Sequence, residues 1–206
     1  MRPYIVPSIK KSNTMNFTEL LDLMRRDRSY RRFDATKTIS DQELDELVNV
    51  VRYCPSARNM QPLKYRKVCG QEELDLVYPL LKWAGYLTDW DGPEPEERPT
   101  AYLVQCLDAT LSQNCLCDDG LQLEALTLAA VSRGLGCCII KSFDIPALTA
   151  ALGIPEHLKP LYILAIGHPV EQVVIEDIHD NDIHYYRDAD AVHHVPKRPL
   201  SELLIH

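Results

Sequence analysis

Five arginines, Arg25, Arg26, Arg28, Arg31 and Arg32, crowd into one short stretch with a single acidic residue, Asp27, among them, in a chain of net charge −8. Like charges on neighbouring turns repel, so such a cluster calls for an anion. Phosphate fits guanidinium groups best, because it accepts two parallel N–H···O bonds from each. The Ser29 hydroxyl adds a further donor, which makes Arg28-Ser29-Tyr30-Arg31-Arg32-Phe33 a candidate phosphate-binding segment; a basic turn left to solvent has the same composition. Nucleic acid is the other usual partner of clustered arginines, but the chain is acidic overall and has no second basic run.

Two further stretches could serve the same ligand. Pro55-Ser56-Ala57-Arg58-Asn59-Met60-Gln61-Pro62 is a loop by composition, and Asn59 and Gln61 each offer the donor and acceptor that the polar edges of a flat heterocycle require. The same side chains equally suit tying the loop's own backbone. Trp83, Tyr86 and Trp90 are interleaved with glycine and proline over residues 83–100, as in a wall or lid over a pocket, or in a loop packed on its own body. No Ser-His-Asp set, paired carboxylates or nucleophilic cysteine context competes with these readings.

No metal site is expected. Cys115 and Cys117 are too closely spaced for the usual zinc pair and lack a second pair, and His193-His194 read as a solvated turn. Seven cysteines, with Cys137 and Cys138 adjacent in an apolar run, suit reduced thiols in a cytoplasmic protein better than a disulfide framework.

These residues need a scaffold, and 206 residues with 46% hydrophobic and 25% charged side chains suffice for one folded domain. No apolar run is long enough to cross a bilayer. Residues 1–14 lack the apolar core of a signal peptide and read as a loose N-terminal arm before a single domain at 15–206. Phe17, Leu20, Leu21 and Met24 recur at helical spacing, which predicts a helix over 16–26 with one buried stripe. Ser40 and Glu43 form a capping box ahead of Leu44, Leu47, Val48 and Val51, and Pro55 limits the helix they open. Strands are expected over 63–69, 100–107, 137–141 and 161–167, and helices over 72–82, 118–133 and from Pro146. The 118–133 helix, apolar on more than one side through Leu121, Ala125, Leu128 and Ala129, is expected at the centre or at a subunit interface, and Gly134 stops it. The tail, 170–206, is weakly periodic and reads as an extended arm that lies along something else, such as a partner subunit.

In this order, the segment Arg28–Phe33, the loop with Pro55, Ser56, Ala57, Asn59, Gln61 and Pro62, Gly134-Leu135-Gly136 before a buried strand, Gly167-His168-Pro169 and the terminal Lys197-Arg198 resemble the nitroreductase family of flavoproteins from Met15 to Leu204. The resemblance implies an α+β fold, a mixed central sheet flanked by helices, in an intertwined homodimer whose C-terminal arms are exchanged. It implies FMN at the dimer interface, with Arg28, Ser29 and Arg31 at its phosphate, Tyr30 among the cofactor-binding residues, and Lys197 and Arg198 completing the clamp. Pro55, Ser56, Ala57, Asn59 and Gln61 match the loop set against the ring, commonly from the second subunit. Ile139, Ile140, Lys141 and Ser142 match the strand end whose backbone amide faces the flavin N5. Lys141 and Ser142 stand where the family often has glycine or glutamate, and Leu63 where an aromatic is frequent.

The implied activity is a ping-pong transfer of hydride from NADH or NADPH, through flavin, to a small electron-poor acceptor such as a nitroaromatic or quinone. Trp83, Tyr86 and Trp90 would wall the acceptor slot. Reductive dehalogenation or flavin fragmentation on the same fold, a flavin carrier or sensor without turnover, and a metal module on Cys115, Cys117 and the histidines are the competing readings. No nucleic-acid or membrane partner is expected.

Overall fold

The Asn16 side chain accepts from the Thr18 amide (2.9 Å) while Glu19 reaches back to the Asn16 amide (3.1 Å), and this capping box opens α1, Phe17–Arg26. The computed structural model describes residues 15–205, so the expected 1–14 arm lies outside the described residues. Phe17, Leu20, Leu21 and Met24 do line one side of α1, yet none is buried, and Phe17 is 70% exposed. The stripe is real, but no described element of this chain covers it.

Ser40 and Glu43 make the predicted box, with Glu43 N donating to Ser40 Oγ (3.2 Å) and Ser40 N to Glu43 Oε2 (2.8 Å). It starts α2, Asp41–Val51, which buries Leu44 and Leu47. The central sheet comprises β1, Leu63–Val68; β2, Ala101–Asp108; β3, Gly136–Ile140; and β4, Leu158–Gly167. Their order is β1-β2-β4-β3, and every pair in it is antiparallel.

Alternation along β2, β3 and β4 sends side chains to two separate cores. On one face Ala101, Leu103, Cys137, Leu164 and Ile166 meet Leu44 and Leu47 of α2 and Leu123, Leu126 and Ala130 of α4, Asp118–Ser132. On the other, Tyr102, Val104, Cys138, Ile140 and Ile163 meet Val77 of α3, Gln71–Val77, and Leu148 of α5, Ile145–Ala151. Helix α3 is shorter than expected. Pro79 lacks the amide that another turn requires, and the chain tightens into a 3-10 turn at Tyr78–Leu80.

Helix α4 also turns differently from the expected register: Leu121 is exposed, while Leu123, Leu126, Thr127, Ala130 and Val131 are buried. Its leucines and alanines are spread around the helix, so polar burial at Asp118, Gln122 and Thr127 decides which side faces inward.

The arginine-rich segment lies along the outer edge of β3. Ser29 bridges Cys137 in parallel, Tyr30 N donates to Cys137 O (2.9 Å), and Asp34 N donates to His168 O (2.8 Å). What seats it there is a pair of glycines. Gly136 and Gly167 face each other across β3 and β4, and a methyl group on either would stand 2.8 Å from the Tyr30 ring or 2.7 Å from the Phe33 ring. Gly167→Ala is therefore expected to cost about 1–3 kcal/mol of stability, read from urea unfolding, since the wholly buried Phe33 has no room to retreat.

The tail carries regular structure of its own. Residues 173–197 form a three-stranded sheet, β5, Val173–Asp177; β6, Tyr186–Arg187; and β7, His193–Lys197, in the order β5-β7-β6. Strands β5 and β7 are parallel, so the mixed pairing of the fold lies here and at the Ser29 bridge. A short α6, Leu200–Leu203, follows with Leu200, Leu203, Leu204 and Ile205 exposed.

Candidate functional site at the outer edge of β3

The protein itself answers several of the clustered cations. Arg25 pairs with Asp22 at 3.1 Å, and Arg32 grips Glu97 with two bonds of 2.6 Å. Arg31 is buried, donating to the Ser29 carbonyl and to His193 Nε2 (both 3.1 Å) and lying over the Tyr185 ring. Arg28 is different. Its Nη2 donates to the Met24 carbonyl at 2.7 Å, while its Nε is buried with no partner, and no described carboxylate lies within ion-pair distance of it.

Arg28 and Ser29 open on a cavity of about 140 Å³ whose other walls are Asp27, Glu124 and Thr127 with Cys137 and Ile139 of β3. Thus the structure keeps Arg28, Ser29 and Ile139 of the expected flavin set together. Tyr30 is spent on packing over Gly136, with its hydroxyl on the Arg26 carbonyl (2.9 Å), and Arg31 belongs to the junction with the C-terminal sheet. Ile140 faces the core by strand alternation, and the Lys141 ammonium lies over the Tyr162 ring at 4.0 Å. Asp27, Glu124 and Thr127 escaped the sequence reading, because no motif marks a carboxylate that folding swings beside a cation.

A second group of expected residues sits at the N-terminal end of α4. Asp118, 1% exposed, accepts from Ser56 Oγ (2.5 Å) and Ala57 N (2.9 Å), and Ser56 Oγ in turn accepts from Gln61 N (2.9 Å). The Ser56 hydroxyl proton is therefore committed to Asp118. Asn59 and Gln61 tie the loop to itself, through Gln61 Nε2 to Asn59 O and Oδ1 at 3.2 and 3.1 Å. Arg58, Asn59 and Gln61 all adopt positive φ of 50–55°, a costly conformation that persists where surroundings over-determine it, and Asp118 supplies that constraint. Nine steps of α4 separate Asp118 from Thr127, about 14 Å of helix, so this loop and the Arg28 cavity are distinct places in one chain.

The aromatic stretch packs on the protein's own body. Trp83 is buried in the core, edge-on to Trp90 at 6.5 Å and beneath Gly92, and the two rings border an open depression with Leu81, Lys82 and Thr88. Tyr86 turns away to Tyr185 and His184. Arg187 of β6 stacks on Trp90 at 4.1 Å and pairs with Glu171, which is fully buried and also accepts from Arg31 N at 2.8 Å. Lys197 and Arg198 are not brought to the cavity. They stand at the far end of β7, about 13 Å along the strand from His193, and Arg198 is held by Asn181 (3.2 Å) and Glu202 (2.7 Å).

The two neighbouring histidines, expected in a solvated turn, have opposite environments. Arg31 can only donate, so His193 Nε2 must accept, and burial followed by the Arg31 charge lowers the His193 pKa to about 4. His194 donates to Glu176 (2.9 Å) and Asp188 (3.1 Å) and stacks on Tyr186 at 4.7 Å, and the Glu176 bond, then the Asp188 bond, raise its pKa. A raised folded-state value means that His194⁺ stabilises fully below the free histidine pKa of about 6.5, and less as pH rises through the raised value. Asp188, lowered chiefly by the same bond, stabilises above the ordinary carboxylate range and loses that contribution as pH falls through its depressed value. The β5–β7 sheet is thus expected to be most stable between these limits. NMR titration of the His194 ring protons should give a midpoint above that of free histidine, and Asp188→Asn should bring it down.

An antiparallel sheet covered by helices on both faces, with a cavity at its outer strand that Arg28 and Ser29 line, makes this an α+β protein, and its likeness to solved structures is to the nitroreductase fold. A solved structure from Parabacteroides distasonis, provisionally named NADH dehydrogenase/NAD(P)H nitroreductase, matches it with a TM-score of 0.64 at 23% identity over 80% of this chain and 98% of that one. A nitroreductase of provisional assignment from Exiguobacterium sibiricum, solved in complex with FMN, matches with a TM-score of 0.63 at 19% identity over 77% and 90% of the two chains. These likenesses are of fold. In sequence, a Methanothermobacter thermautotrophicus protein with the first of those provisional names is 22% identical over 175 residues, 80% of this chain and 84% of its own. The profile of the nitroreductase family matches residues 24–100 and 117–168. The chain belongs to the nitroreductase family and is an oxidoreductase.

Proposed function

We propose that this protein is a homodimeric, FMN-dependent NAD(P)H oxidoreductase that reduces flat, electron-poor acceptors such as nitroaromatics and quinones. The observation that carries this reading is Arg28, a residue with a buried, unpartnered Nε that lines a cavity together with Ser29. A buried donor left without an acceptor is costly, and a phosphate oxygen is the acceptor that a guanidinium and a hydroxyl together suit. When bound, FMN supplies the exchange of an electron pair between nicotinamide and acceptor. Arg28 and Ser29 hold the phosphate, while Ile139 gives the cavity an apolar wall. FMN in one similar structure and NAD(P)H in the names of others support the choice of cofactor and donor.

A second copy of the chain completes the site. The exposed faces of α1 (Phe17, Leu20, Leu21, Met24) and of the last residues (Leu200, Leu203, Leu204, Ile205) form apolar surface of the kind that subunit interfaces cover. The 55–62 loop, remote from its own chain's cavity, serves the ring of the flavin held by the other copy. Trp83 and Trp90 border the acceptor depression. Cysteines all present as free thiols suit the reducing cytoplasm.

Purified protein should be yellow or take up FMN, sediment as a dimer, and lose its flavin absorbance on anaerobic addition of NADH or NADPH. It should then consume that nucleotide steadily with a nitroaromatic or quinone. A colourless protein that refuses FMN overturns the proposal. A yellow protein inert to both nucleotides replaces the enzyme with a flavin carrier.

A further inference from the structure

The Arg28 cavity is an unusual place for a dianion. Of its lining residues only Arg28 is cationic, while Asp27 and Glu124 are both acidic. Two ionised carboxylates outweigh one guanidinium, so a phosphate carrying two charges meets a net negative wall. The other cations of the cluster offer no relief, because Arg31 and Arg32 are engaged with His193, Tyr185 and Glu97.

We propose that Asp27 makes flavin binding proton-linked: FMN enters this cavity together with one proton, shared between the Asp27 carboxyl and the phosphate. The inference rests on the placement of the FMN phosphate at Arg28 and Ser29. Its geometric basis is Thr127. The Thr127 hydroxyl lies 2.6 Å from Asp27 Oδ2 and 3.0 Å from the Glu124 carbonyl oxygen. A hydroxyl has one proton and can give it to either oxygen. With Asp27 ionised, Thr127 donates to the carboxylate. With Asp27 protonated, Thr127 turns its proton to the Glu124 carbonyl and accepts from Asp27, so both states are accommodated without moving a heavy atom.

The groups around Asp27 leave its pKa raised on balance. From α4 it faces Thr127 and Glu124, from β3 the Cys137 thiol, and from its own segment Arg28 and Tyr30. Burial raises its pKa, the Thr127 bond opposes this, Glu124 adds to it, and Arg28 only partly offsets it. A phosphate dianion would add a second like charge. Two interacting acids then hold one proton as a pair, as coupled carboxylates do.

The test is a binding titration, independent of turnover. Protein freed of flavin is titrated with FMN and, separately, with riboflavin, which lacks the phosphate, from about pH 7 to about pH 8.5, above the phosphate's second ionisation near pH 6. The wild-type Kd for FMN should rise by about tenfold per pH unit, as uptake of one proton requires. Asp27→Asn, which keeps an acceptor for Thr127, should bind FMN with nearly constant Kd over the same range, and more tightly than wild type by about tenfold or more at the alkaline end, by the same linkage. Riboflavin should show no such slope with either protein. Calorimetry in two buffers of different ionisation enthalpy should count one proton taken up per FMN by wild type and none by Asp27→Asn.

A flat wild-type profile, a variant with the wild-type slope, or the same slope for riboflavin overturns the inference while leaving FMN as the cofactor. Folded protein that binds neither flavin at any pH overturns the placement of the cofactor along with it.

Discussion

Glu171→Ala is expected to destabilise the protein by about 3–5 kcal/mol, the usual result of removing one partner from a buried ion pair. The Glu171 side chain is wholly inaccessible; it accepts from Arg187 Nη2 at 2.5 Å and Nε at 3.1 Å and from the Arg31 amide at 2.8 Å. Alanine would leave the partly buried Arg187 guanidinium on the Trp90 ring without its ion-pair partner, and the Arg31 amide without an acceptor. Since Arg31 also holds His193, the loss should spread to β7 and loosen the C-terminal sheet from the body. Urea unfolding followed by far-ultraviolet circular dichroism reads the global cost, and hydrogen exchange reads whether the β5–β7 amides lose protection first. Glu171→Gln, with the same shape, should recover part of the loss through its carbonyl oxygen. A cost under about 1 kcal/mol for the alanine variant would mean that water reaches the arginines as readily as it does in an exposed pair.

Arg28→Ala should act in the opposite manner, with a large effect on ligand and a small one on fold. Its described bonds amount to one contact with the Met24 carbonyl, while its Nε has no partner at all. Removing a buried donor that the protein leaves unsatisfied costs little stability. Removing the cavity's one cation should weaken FMN binding by about 100-fold or more, the scale of a charge-assisted pair lost together with its partner's compensation. Equilibrium dialysis gives the affinity and thermal melting of the flavin-free protein gives the stability. Equal losses of both would assign Arg28 a structural task instead. Arg28→Lys should retain a charge but not the forked geometry, and fall between the two.

Much of the scaffold could be read from the chain because it obeys local rules. The Ser40–Glu43 box, the strands of the central sheet and the glycine stop at Gly134, φ +77°, each follow from neighbours in sequence. The C-terminal sheet did not yield to the same reasoning. Its cohesion comes from Glu171, Arg187, His193 and His194, polar residues whose burial depends on partners more than a hundred positions away or on a neighbouring strand, and hydrophobic periodicity does not register them. The arginine cluster shows the same limit within one motif. All its cations look alike in sequence, and only the positions of Glu97, His193 and Tyr185 distinguish the engaged Arg31 and Arg32 from the unsatisfied Arg28. Asn59 and Gln61 likewise offered two readings, and their bonds to each other select backbone bracing for the contacts this chain makes.

The facing glycines Gly136 and Gly167 have a consequence for how this protein can diverge. Because the Tyr30 and Phe33 rings drop into fixed seats on the sheet, the position of Arg28 is gauged by residue count from those seats, and its guanidinium adds a bond to the Met24 carbonyl alone. Substitutions at the exposed positions Arg25 and Arg26 can retune charge with little cost to this seating. Inserting or deleting a single residue between positions 28 and 30 would reverse the in-and-out order of side chains and carry the cation to the wrong side. Lineages of this chain should therefore vary in the composition of that edge and hold its length constant.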